Sequence, residues 1–311
     1  MARIVSTVLV VALLAATAAA FALTQGLKRQ KSPIFGTHVD KVFSPVCKCA
    51  TDSATVAFKL RKPDRIDVAI VDGADRVVRT IVRGREYGKG PVEVEWNGRD
   101  DAGRVLPEGD YRPSVHLDRA RRTIRLPNPI TLDVTAPLVE VVTVAPRVFS
   151  PDGDRRSDSV TFRYRLSEPG RGMLFVNGKR RVLQLFAREA GSLTWYGKVR
   201  GKSLRAGSYR AQIGAFDPAG NRAERSKPVE LAIRYVELSR ERVIVGAGER
   251  FTITVSSDAR RVRWSLGGRS GTAPPGDLRL QAPLQKGRFT LFVSANGRAA
   301  RVPVFVREPG S

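Results

Sequence analysis

The chain has two histidines and two cysteines in 311 residues, and that scarcity removes whole classes of chemistry. A Ser-His-Asp triad would have only His38 and His116 to draw on. No Cys/His spacing of the zinc type occurs, and no glycine-rich phosphate loop follows a strand. No catalytic residue and no cofactor-binding residue is expected, and the chain reads as a non-enzyme. With Cys47 and Cys49 alone, it is not a disulfide-stapled scaffold either. Aromatics make up 7% of the residues, but 42% are hydrophobic, so folded cores can form throughout. Beyond residue 30 no stretch carries a 3.6-residue apolar period, which argues against a helical bundle. Acidic residues are outnumbered, 30 to 54, giving a formal charge of +24. That field favours anionic partners. The arginines are nevertheless spread along the chain, without the concentrated footprint or reading module of a nucleic-acid binder. Nucleic acid is therefore not expected as a partner, whereas anionic wall polymer or polysaccharide is.

What is present is a repeated phrase. Ser44-Pro45 and Ser150-Pro151 each open a segment, and the two segments run in parallel at an offset of 106 residues. Asp52-Ser53 matches Asp158-Ser159, Leu60 matches Leu166 and Pro63 matches Pro169. Further on, Trp96 answers Trp195, and Gly109-Asp110-Tyr111 answers Gly207-Ser208-Tyr209. Two copies of a unit of about a hundred residues indicate a string of small domains. Between the turn signals, apolar and polar residues alternate, as in Val56–Leu60, Ile66–Val71 and Val92–Trp96. Short strands of this kind predict an all-β chain of tandem sandwiches. Alternation continues after Tyr235 without the repeat, which predicts a third, shorter sandwich. The expected organisation is a signal or anchor helix with a basic flank at 1–31, then domains at 32–135, 136–234 and 235–311.

Ile4 to Leu23 is uncharged and mostly apolar, and twenty helical residues span about 30 Å. Its length and the following Lys28, Arg29 and Lys31 favour a transmembrane anchor. A cleaved secretory signal, with Ala18-Ala19-Ala20 as its cleavage site, is the rival reading. Three cations after the helix would keep the domains cytoplasmic on a strict positive-inside count, but large domains cross largely regardless of charge. The expectation is a single-pass membrane protein with extracytoplasmic modules, or a secreted one if the segment is cleaved.

The run Val94-Glu95-Trp96-Asn97-Gly98-Arg99-Asp100-Asp101-Ala102-Gly103, closing at Pro107-Glu108-Gly109-Asp110-Tyr111, resembles the signature of the FlgD-type Ig-like domain. That family recurs in many secreted and surface proteins. The resemblance implies an Ig-like sandwich and a structural use for the Asp100-Asp101 turn. It is carried by the first unit. The second replaces the Asp-rich turn with Tyr196-Gly197 and adds Asp217-Pro218-Ala219-Gly220-Asn221, a turn common in bacterial Ig-like modules. The third resembles Ig-like domains only in general. Trp96, Tyr111, Trp195 and Tyr209 are expected as core residues, with Tyr111 resembling a tyrosine corner.

Asp152, Asp154 and Asp158 surround a glycine turn with hard oxygens, a set that suits Ca²⁺. The loop lacks the Glu and the length of an EF-hand loop, and Arg155 and Arg156 oppose a cation, so turn capping without metal is the favoured reading. The first unit has Cys47-Lys48-Cys49 in the equivalent place. A local disulfide is the expectation, with free thiols and a bond to another chain as the alternatives, and the local bridge requires a turn at Lys48. The expected role is that of a cell-envelope structural or interaction protein, held to the membrane by its N-terminal helix and binding envelope proteins. Polyanion binding and service as an accessory domain of an envelope enzyme complex are the alternatives.

Overall fold

A computed structural model describes residues 11–21 and 31–308. Residues 11–21 are helical. Among the described residues no helix is long and apolar enough to cross a membrane. The rest of the apolar run from 4 to 23 lies outside them. Among the described residues, 34–308 form strands joined by bridges, turns and irregular segments. The chain divides into two compact units, Met1–Val134 and Thr135–Ser311.

The first unit holds one sandwich. Ile34–Val39, Ala54–Leu60 and Gly90–Trp96 form one sheet. The other is built around Asp64–Val71 and Gly109–Leu117. Ala54–Leu60 buries every second residue and Gly90–Trp96 buries Val92, Val94 and Trp96, as a pleat with one face on a core requires. Phe43, Phe58, Leu60, Ile66, Ile70, Leu117 and Ile130 fill the space between the sheets.

The second unit contains two further cores. One gathers Phe149, Phe162, Leu174, Trp195, Ile213 and Ile233; the other gathers Val243, Ile253, Val262, Leu291 and Val304. We refer to the three sandwiches as modules one, two and three. In module two a single strand, Val160–Val176, runs through both sheets. Its first half pairs with Val139–Ala145 and Arg188–Trp195, and its second half with Gly207–Phe216. The alternation in the sequence predicts two strands here, Val160–Leu166 and Arg171–Val176. The chain instead bends between them with a register shift between Arg165 and Gly170, the kind of irregularity that lets a sheet tolerate proline.

All three modules share one topological device. The chain pairs first with one sheet, then crosses to the other and runs parallel to the module's last strand. Val42–Phe43 lies parallel to Ile130–Leu132, Val148–Phe149 to Val229–Ile233, and Val243–Gly246 to Arg298–Arg307. Module three carries this device although it lacks the repeated phrase.

Candidate functional site

The repeated tryptophans sit at equivalent points. Trp96 is 1% exposed; its Nε1 donates to the Arg99 carbonyl at 3.1 Å, and its ring meets Phe43 and Tyr111 at 5.2 Å. Trp195 donates to the Lys198 carbonyl at 3.4 Å and meets Phe149 at 5.7 Å and Tyr209 at 6.4 Å. The Tyr111 hydroxyl donates to the Pro107 carbonyl and that of Tyr209 to the Arg205 carbonyl, both at 2.8 Å. The glycine two residues after each tryptophan adopts positive φ, +71° at Gly98 and +60° at Gly197. Each presses on the proline of the Ser-Pro phrase. A Cβ at Gly98 would meet Pro45 Cγ at 2.9 Å, and one at Gly197 would meet Pro151 Cγ at 2.7 Å. The two repeated phrases are thus halves of one contact.

The acidic turns serve their own backbones. Asp100 accepts from the Ala102 and Arg104 amides and from the Arg104 guanidinium, and these bonds, led by the Arg104 amide, hold its carboxyl below the ordinary range. Asp101 accepts from the Thr80 amide. Asp217 is buried and accepts from the Gly220 and Asn221 amides and the Asn221 side chain. His116 Nδ1 lies 2.9 Å from the Thr123 hydroxyl, and His38 lies 3.4 Å from Asp40.

Cys47 and Cys49 are joined to each other, with Cα atoms 5.3 Å apart and Lys48 between them at φ +50°. The left-handed residue supplies the turn that so short a ring needs.

In module two the equivalent loop is held by Asp158. Its carboxylate accepts from the Gly153 and Arg155 amides, each at 2.7 Å. Both oxygens are therefore turned into the loop, and Asp158 does not join the other two aspartates. Asp258 of module three takes that place: one carboxylate oxygen from each of Asp152, Asp154 and Asp258 lies within 4.8 Å of the others. Asn296, also from module three, donates its amide to Asp152 and Asp154 at 3.1 Å. Ser150 donates to Asp152 at 3.3 Å.

Asp258 differs from its neighbours. Both of its carboxylate oxygens are buried, with less than 1 Å² accessible, and neither receives a hydrogen bond. Burial raises its pKa above the ordinary carboxylate value; the nearby Ser150 hydroxyl opposes this, and Asp152 and Asp154 push it higher. Arg156 reaches the main-chain carbonyl of Asp258 at 3.0 Å, not the carboxylate. A crevice of about 210 Å³ opens beside it, lined by Ser150, Ser157, Tyr235, Ser256 and Ser257 among others. Asp258 and Asn296 were invisible as site residues in the sequence, because each occupies an ordinary polar turn between strands.

Residues 45–120 match the family model of the FlgD Ig-like domain. The FlgD-type module thus includes the cysteine pair, the buried Trp96, the Asp100 turn and Tyr111. No curated protein matches the chain. Among solved structures, titin domains I67–I69 in an E-to-A variant are 11% identical, covering 90% of this chain and 100% of that one, with a TM-score of 0.33. A structure concerning host cell surface retention of a 1.5-MDa bacterial ice-binding adhesin is 13% identical, covering 90% and 99%, with a TM-score of 0.27. The C-terminal 282-residue fragment of intimin is 10% identical, covering 55% and 64%, with a TM-score of 0.25. Scores this low say nothing about shared function.

Proposed function

We propose that this chain is a non-enzymatic structural and interaction protein of the cell envelope, presenting its Ig-like modules outside the membrane. The observation that carries the reading is where the conspicuous residues go. Trp96, Tyr111 and Trp195 fill cores, Tyr209 is half-buried against the core of module two, and Asp100, Asp158 and Asp217 cap their own turns. What remains for partners is loops and strand edges. The bridge between Cys47 and Cys49 fits an oxidising compartment, and the apolar run before residue 31 fits export or anchoring. Protease added to intact protoplasts should therefore digest the modules. Full protection of residues 32–308 would place them in the cytoplasm and end the proposal.

A second reading, polyanion binding, rests on a cleft of about 790 Å³ in module one. Lys31, Arg61, Lys62, Arg119 and Arg122 line it. Arg61 stacks on Phe35 at 4.4 Å. The one carboxylate in the lining, Asp64, is buried and turned to the amides of Arg119 and Ala120. Such a cleft suits phosphate or carboxylate groups on a chain. Inorganic polyphosphate is the probe. Its affinity for the full chain should fall steadily with salt, as the screening length shrinks from about 30 Å at 0.01 M to about 8 Å at 0.15 M. It should fall again in an Arg61→Gln/Lys62→Gln/Arg122→Gln variant. Affinity indifferent to both changes removes this second reading.

A further inference from the structure

We propose that Asp152 and Asp154 of module two and Asp258 of module three bind one Ca²⁺ ion, which joins the two modules. Two ligands on opposite sides of a Ca²⁺ ion stand at most about 5 Å apart, since Ca–O distances are about 2.3–2.6 Å. The three carboxylates already lie within 4.8 Å of one another, so no side chain must travel far. Among the described residues none of the three is paired with a cation.

An acidic cluster alone would not point to a metal, and Asp258 supplies the second observation. A carboxylate with both oxygens buried and no donor on either is an expensive arrangement unless something else neutralises it. Asp152 and Asp154 have donors from their own loop and from Asn296. Asp258 has none, and it is aimed at the other two. The chemistry of the set selects the ion. Three carboxylates and a serine hydroxyl are hard oxygens, and no histidine or thiolate is present to favour a transition metal. The Asn296 side chain would complete the set by rotating half a turn. It now faces the aspartates with its NH₂, and the reversed amide would present Oδ1 to the ion. The crevice lined by Ser150, Ser157, Ser256 and Ser257 has room for water to fill the remaining positions. Affinity should be that of extracellular modules, on the order of 10⁻⁴–10⁻³ M.

The site is independent of what the modules bind and of where the protein resides. The test is calorimetric titration of the full chain with CaCl₂, together with thermal melts in calcium and in chelator. The expected result is one ion per chain and an upper melting transition raised by roughly 5–10 °C at saturation. Asp258→Asn should abolish the response. Without calcium it should melt no lower than the parent, because it removes an unpartnered charge, and this separates a lost ligand from a broken fold. Asn296→Ala should weaken binding several-fold and provides a second variant with an exposed side chain. Asp158→Asn should lower the melt equally with and without calcium. No heat and no shift at about 10 mM Ca²⁺, well above the expected range, would overturn the proposal. So would an Asp258→Asn protein that binds calcium as tightly as the parent, since the ion would then belong to the loop of module two alone.

Discussion

Trp96→Ala should unfold module one. The ring is the largest fully buried side chain of that core and touches both Phe43 and Tyr111. Its removal leaves a cavity between two sheets that cannot close, because the strands on either side are fixed by their ladders. Losing a buried large aromatic costs about 3–5 kcal/mol, a large fraction of what a hundred-residue domain has. The Arg99 carbonyl also loses its indole donor. Trp195→Ala should do the same to module two, where the ring packs on Phe149. Differential scanning calorimetry of the full chain provides the check. Each variant should lose one transition and keep the rest, and a trace superimposable on the parent would show that the ring does not support the core.

Gly98→Ala and Gly197→Ala should each cost about 2–5 kcal/mol. Two penalties add at these positions. The left-handed backbone costs a residue with a Cβ about 1–2 kcal/mol, and overpacking costs about 1–3 kcal/mol. The overpacked neighbour is a proline ring, Pro45 or Pro151, with no rotamer to escape into. The two effects separate in a double variant. Replacing Pro45 by alanine in the Gly98→Ala background should recover part of the steric cost, because it removes the 2.9 Å contact with Pro45 Cγ but leaves Pro45 Cβ and Leu132 Cδ1 at 3.1 Å, and it should leave the backbone part untouched. Chemical denaturation of the full chain measures both. A Gly98→Ala protein as stable as the parent would mean that the proline and the glycine do not press on each other.

How far the sequence reaches is plain from particular residues. The all-β architecture is legible from alternation and from the repeat, since a half-buried strand prints its pleat directly on the chain. That Ser-Pro and Trp-x-Gly touch is not, because some fifty residues separate them and nothing local links the two phrases. Module three shows the opposite limit. It has neither phrase, but its chain makes the same crossing from one sheet to the other, a feature of pairing that no short window displays. The acidic junction is half legible. Asp152 and Asp154 announce themselves as an Asp-Gly-Asp turn, and Asp158 shares the spacing. Spacing cannot tell a carboxylate that faces outward from one whose oxygens are consumed by the amides of its own loop, which is where the structure puts Asp158. Asp258 lies about a hundred residues further on and reaches the cluster only through tertiary packing.

The parallel pairing of each module's entering and leaving strands governs how the module meets a pull on its ends. Parallel partners send the chain out at opposite ends, so tension slides one strand along the other. Every hydrogen bond between them is then loaded at once, whereas a hairpin opened from its mouth loses them one after another. The number of bonds in that clasp sets the force it bears. Modules one and two have two registered residue pairs each, at Val42–Phe43 and Val148–Phe149. Module three has four, from Val243 to Gly246. Stretching the full chain by its ends should therefore unfold modules one and two at lower force than module three.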